Sequence, residues 1–136
     1  MPDDRADTGR LLREYLEAIP DMDDVAARLD EDVQFTMFAP TGRTNVGRAR
    51  IVRGLEKEFA SFYRREDFKL DVLESFGDGE MAAARFQITA DTQRGPYKNN
   101  YCCIARFKDG LIVEAWEYLD TASAGLQLRP AAHEGR

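Results

Sequence analysis

The spacing of apolar residues changes period once along this chain, and that change limits the fold more than any other feature. Up to about residue 63 the apolar positions recur mostly at helical intervals, and from residue 68 onward they alternate. In LLREYLEAI, Leu11, Leu12, Tyr15, Leu16 and Ile19 share one stripe, which predicts an amphipathic first helix broken at Pro20 and Asp21. DMDDVAARLDED predicts a short second helix, with acids at the positive end of its dipole and Val25, Ala26 and Leu29 turned inward. VQFTMF then alternates Val33, Phe35 and Met37 against Gln34 and Thr36, a strand pattern ending at Pro40, and APTGRTNVG reads as turn. From Arg48 to about Tyr63, Ile51, Val52, Leu55, Phe59 and Phe62 predict a third and longest helix.

The second half holds the strand-like runs FKLDVLESF, MAAARFQITADTQ, PYKNNYCCIARFK and LIVEAWEYL, separated by the turn signals GDG, RG and KDG. Three helices and one strand ahead of an antiparallel meander make an α+β pattern. In the second run Ala82, Ala84, Phe86, Ile88 and Ala90 form an apolar face against Met81, Arg85, Gln87 and Asp91. With 136 residues, 43% of them apolar, the chain suits one domain, placed at 1–128, followed by a flexible tail at 129–136. The one histidine, His133, lies in that tail, which removes histidine triads and histidine metal sites from consideration.

The balance of charge excludes further classes. Twenty-five acids against 19 bases leave a net charge of −6, and no block of Lys and Arg is long enough for a nucleic-acid footprint. No apolar run approaches the roughly 20 residues of a membrane span. The opening MPDDRADTGR is too polar for a signal peptide, so the expected location is the cytoplasm. Cys102 and Cys103 are adjacent and point to opposite faces of a strand, as small core or interface residues do. There is no Cys/His ligand cluster or glycine-rich phosphate loop, and GRTNVGRA lacks the order of a dinucleotide fingerprint, so neither metal nor organic cofactor is expected.

The run IVEAWEYLD carries three carboxylates in an otherwise apolar strand. Alternation puts Ile112, Glu114, Trp116 and Tyr118 on one face and Val113, Ala115, Glu117 and Leu119 on the other. The second set is smaller and more aliphatic, as a concave surface needs, while Trp116 and Tyr118 suit a flat sheet face used for dimerisation. Glu117 is therefore the acid expected inside, where desolvation raises its pKa toward neutrality. A shift of the strand by one residue would offer Asp120 instead. Paired with a base such as Arg85, Glu117 would be structural. On PYKNNYCCIARFK the same alternation turns Asn99, Tyr101, Cys103, Ala105 and Phe107 inward and Asn100 outward. With Phe35, Met37, Phe59, Phe86 and Ile88 these residues predict an apolar, ring-rich pocket short of paired ionisable groups.

GPYKNNYCCIARFKDGLIVEAWEYLD resembles the closing strand pair of SnoaL-like proteins, within the nuclear transport factor 2-like superfamily that includes ketosteroid isomerase, polyketide cyclases and limonene epoxide hydrolase, and LLREYLEAI resembles their opening helix. The resemblance runs from about Gly9 to Asp120. It implies a cone-shaped α+β barrel, with three N-terminal helices packed into a strongly curved sheet around a deep pocket, commonly in a homodimer. It also implies that Glu117, in the WEY motif, is the general acid or base, and that Tyr15 is the hydrogen-bond donor to a developing enolate oxygen. The two aspartate positions of ketosteroid isomerase fall on Met37 and Cys103, so neither aspartate is present. No set matches the aspartate, arginine and aspartate relay of limonene epoxide hydrolase. PYKNNY shares Asn100 with SnoaL-like relatives, against the alternation that favours Asn99, and both stay candidates.

Two functions fit. One is a cofactor-independent isomerase, cyclase or lyase acting by acid-base chemistry on a hydrophobic, carbonyl-bearing molecule of polyketide, steroid or terpenoid kind. The other is a module of the same fold that only binds a small molecule or dimerises.

Overall fold

Helix α1, Thr8–Ala18, buries Leu12, Tyr15 and Leu16 on the predicted stripe and lies across the far strands of the sheet. Its first turn comes close to the backbone there. A Cβ on Gly77 would run into the Thr8 hydroxyl and reach the Gly9 nitrogen at 2.7 Å, and a Cβ on Gly9 would meet Phe76 backbone at 2.8 Å. Only glycine allows that approach. The computed structural model describes residues 8–38 and 42–128, so Pro40, His133 and the expected tail lie outside the described residues.

Helix α2, Met22–Ala27, is capped by Asp21, whose carboxylate accepts from the Asp24 N–H at 3.2 Å. It is shorter than expected. Leu29, fully buried, already belongs to strand β1, Leu29–Phe38. The segment read as turn contains a second strand, β2, Gly42–Val46, antiparallel to β1, with the Thr36 and Thr44 hydroxyls 2.8 Å apart across the pair. Helix α3, Arg48–Ser61, follows. The meander is β3 (Lys69–Asp78), β4 (Met81–Thr92), β5 (Gly95–Lys108) and β6 (Leu111–Leu119). A short helix, α4 (Thr121–Leu128), completes the described chain.

The strands form one curved, mixed sheet in the order β2-β1-β6-β5-β4-β3, antiparallel throughout except where β1 runs parallel to β6. The expected barrel does not close, since β2 and β3 remain as separate edges. The core lies between α1, α2 and the inner face of the sheet, where Leu16, Val25, Val33, Ala84, Ala105 and Ile112 are buried. Ile112 was expected outside. Arg106 pairs with Glu114 while Phe107 pairs with Ile112, so Val113 is an extra residue in β6, and this bulge returns Ile112 to the inner face. No helix among the described residues is long and apolar enough to cross a membrane.

Candidate active site

The concave face of the sheet and the facing sides of α1 and α3 enclose a cavity of about 530 Å³. Phe35 and Met37 on β1, Phe59 on α3, Phe86 and Ile88 on β4, and Tyr101 on β5 all line it, as do Tyr15 on α1 and Glu117 on β6. Arg43 and Asn45 on β2, Arg50 on α3 and the partly exposed Phe62 also reach it, which marks the more open side. A shallower surface depression, bordered by Pro20, Asp21, Glu56 and Arg65, holds none of these residues.

Glu117 points inward because the bulge at Val113 lies upstream of it, so alternation from Ala115 onward is undisturbed. Its strand neighbours are Met37 on one side and Cys103 on the other. Neither offers a charge or a strong hydrogen bond. Glu117 is half-buried and lines the cavity. Desolvation, with added repulsion from Glu58, raises its pKa from 4.5 to about 8. Arg85, the base considered as its partner, binds Glu74 at 2.8 Å.

Glu58 is the residue that sequence reasoning missed. It projects from α3 into the same cavity, and desolvation raises its pKa from 4.5 to about 7. The pocket therefore holds two facing acids, contrary to the expectation of a lining without paired ionisable groups. Mutual repulsion weighs on whichever acid ionises second, and that is Glu117. Glu58 had a signal in the sequence, since it falls on the Ile51, Leu55, Phe62 stripe at helical spacing.

Tyr15 is buried, with its pKa raised well above 10 by desolvation and then by Cys103, Glu117 and Glu58. It stays a neutral donor. Tyr97 and Tyr63, which sequence reasoning left without a role, also line the cavity. Tyr97 shares the inward parity of Asn99 and Tyr101, and Tyr63 joins Phe59 and Phe68 in a ring cluster with centroids 4.7 to 5.4 Å apart.

The other expected residues lie elsewhere. Cys103 is fully buried in the core beside Tyr15 and does not line the cavity. Asn99 is buried behind the lining, donating to Tyr97 Oη at 2.9 Å. Asn100 sits on the outer face and accepts from Gln87 Nε2 at 2.9 Å, because alternation governs β5 without a bulge at that point. Asp120 is exposed and caps α4, its carboxylate accepting from the Ser123 N–H at 2.9 Å, so it takes no place in the cavity. Among the described residues no group of His, Cys, Asp and Glu is arranged to hold a metal ion.

Residues 12–115 match the SnoaL-like domain. No curated protein matches the sequence. Among solved structures the chain is similar to PrhC from Penicillium brasilianum NBRC 6234, at 20% identity over 98% of this chain and 93% of that one, with a TM-score of 0.83. It is similar to a candidate polyketide cyclase from Xanthomonas campestris pv. campestris, at 21% identity over 92% and 98% of the two chains, with a TM-score of 0.78. It is also similar to an LEH-like epoxide hydrolase from M. tuberculosis, at 18% identity over 90% and 89%, with a TM-score of 0.73. At such identities the likeness establishes the nuclear transport factor 2-like fold, which proteins named as enzymes share. With the match spanning residues 12–115, most of the core strands and the helices that wall the cavity, the chain belongs to the SnoaL-like domain family.

Proposed function

We propose that the cavity is the active site of a cofactor-independent isomerase, cyclase or lyase, acting on a hydrophobic, carbonyl-bearing small molecule of polyketide, steroid or terpenoid kind. The observation that carries this reading is the pair of carboxyls, Glu117 and Glu58, facing one ring-lined cavity with pKa values near neutrality. Between pH 7 and 8 such a pair holds about one proton, so one member is a carboxylate basic enough to take a proton from carbon α to a carbonyl. Most one-proton molecules carry the proton on Glu117; in the smaller fraction that carry it on Glu58, Glu117 is the carboxylate that takes the substrate proton, and the Tyr15 phenol donates a hydrogen bond to the enolate oxygen as it forms. Returning the proton to another carbon, closing a ring or expelling a leaving group then gives isomerase, cyclase or lyase chemistry.

The outer face of β5 and β6, with Ile104, Trp116 and the 42% exposed Tyr118, is the surface on which a homodimer would form. Two free cysteines, one on each face of β5, fit a reducing compartment such as the cytoplasm.

A second reading, binding without chemistry, is favoured by the dominance of rings in the lining. Exchange of the α-protons of 2-tetralone, followed by proton NMR in deuterated buffer, separates the two. Catalysis predicts exchange faster than in buffer and its loss in Glu117→Gln with the fold intact. Binding of tetralone with exchange no faster than in buffer leaves the binding module.

A further inference from the structure

Tyr97 and Tyr101 both open on the cavity, with their hydroxyl oxygens 2.6 Å apart. Behind them Asn99 is locked in one orientation. Its Oδ1 accepts from the Asn100 N–H at 2.8 Å, and its Nδ2 donates to the Asp120 carbonyl at 3.0 Å. An amide nitrogen is a donor only, so the remaining Nδ2 proton goes to Tyr97 Oη, 2.9 Å away.

The protons of this cluster can be counted. Asn99 uses a lone pair of Tyr97 and consumes no phenol proton. Two phenols bring two protons, and the bond between them consumes one, whichever hydroxyl donates. One proton is left over. The Tyr63 hydroxyl, also on the cavity and beside Tyr101, brings its own proton, so donation from Tyr63 to Tyr101 would leave the remainder on the pair. Burial raises the pKa of Tyr63, Tyr97 and Tyr101, which keeps the phenols protonated. Phe86, stacked on Tyr101 with centroids 5.0 Å apart and planes 12° apart, fixes the Tyr101 ring in the cavity wall.

We propose that the Tyr97 and Tyr101 hydroxyl pair is an oxygen-binding site of the cavity, in which Tyr97, polarised by Asn99, donates to Tyr101 and Tyr101 donates the one uncommitted proton to a carbonyl oxygen of the ligand. Asn99 is its positioning residue, turning a backbone-anchored amide into a polarised phenol donor. The proposal rests on the reading above for where the ligand lies, but not on turnover. It also sets the ligand class, since a hydrocarbon of the same shape leaves that proton unused.

The test compares 2-tetralone with tetralin, its counterpart lacking the oxygen, by calorimetric affinity and by the infrared carbonyl stretch of the bound ketone. Tetralone should bind more tightly than tetralin to the natural protein, with its carbonyl stretch lowered. Tyr101→Phe, which keeps the ring, should erase that preference, by on the order of tenfold, and leave tetralin affinity unchanged. Tyr97→Phe should retain tetralone with a smaller lowering of the stretch, a readout that a merely structural role would not move. Retention of the full preference and stretch in Tyr101→Phe overturns the proposal, as does tetralone binding no better than tetralin, or not at all, in the natural protein. If Tyr15→Phe alone removes the preference, the proposal falls while the catalytic reading stands. If Glu117→Gln leaves α-proton exchange unchanged while Tyr101→Phe removes the preference, the reverse holds.

Discussion

Glu58 on α3 and Glu117 on β6 face each other's charge across one cavity, and the ionised Glu58 makes Glu117 the harder acid to ionise. The flanking strand positions, Met37 and Cys103, are those at which the resemblance to ketosteroid isomerase would place aspartates. Here those neighbours are apolar, and the acid stands on the strand between them. Its chemistry depends on the second carboxyl opposite.

Removing Glu58 should therefore lower the pKa of Glu117 below about 8, because repulsion is lost while desolvation remains. Carbon-detected NMR titration of Glu58→Gln measures it directly. In the natural protein, tetralone exchange should peak between pH 7 and 8, where the pair carries one proton. In Glu58→Gln the alkaline fall should disappear. An unchanged Glu117 titration would show that the two acids do not interact.

Tyr15→Phe should slow exchange by about 10²- to 10³-fold, the usual effect of losing one oxyanion donor, with the fold preserved because the ring remains. Exchange rates and circular dichroism on the same sample check both halves.

Stability should fall as pH rises from about 5 to 8. Both acids have folded pKa values above the unfolded 4.5, so the folded state binds more protons in that window, and the stabilisation present below 4.5 is lost as pH passes through about 7 and 8. Both carboxyls border an open cavity rather than solid core, and screening there limits the effect to about a few kcal/mol. Denaturant midpoints across the window should slope downward, and Glu117→Gln should flatten the slope.

Gly77→Ala should destabilise by about 1–3 kcal/mol, because the new methyl would push α1 off β3 at Thr8 and Gly9. Gly54→Ala is the control. It lies within α3 where an added Cβ meets nothing within 4 Å, and it should gain roughly 0.5–1 kcal/mol. Thermal unfolding of the two variants should move in opposite directions.

If the outer face of β5 and β6 joins two copies, sedimentation should report about twice 15.4 kDa, and Trp116→Glu should halve it. A natural protein that sediments as a monomer at micromolar concentration removes the dimer.

Where one face is buried, the sequence was easy to read. The stripe of Leu12, Tyr15 and Leu16 and the alternation from Ala82 to Ala90 each carry a burial pattern that the structure repeats. The strand GRTNV and the helix TASAGLQL have no fully buried side chain among those described, so no periodicity marked them. Counting alternation back from Leu119 places Glu117 and Ala115 on the inner face and then fails at Ile112, because nothing in VEA marks Val113 as extra. Glu58 was passed over because a carboxylate on an apolar stripe looks like an interruption. Its neighbours across the cavity come from β6, some 60 positions away, beyond the reach of any local pattern.

The parallel pair of β1 and β6 sets Met37 directly beside Glu117 in a sheet whose other contacts are between neighbouring hairpin strands or β1 and β2. A chain emerging from the ribosome can build the β3 to β5 meander as each strand appears, but β1 has no partner on that side until β6 has been synthesised. Long loop closure makes this a slow contact. The cavity is thus completed late, and Glu117 is desolvated only once the two distant segments have zipped together. Proton affinity at that carboxyl is consequently a reporter of folding as well as of chemistry: its titration moves away from 4.5 only in molecules that have made the final pairing.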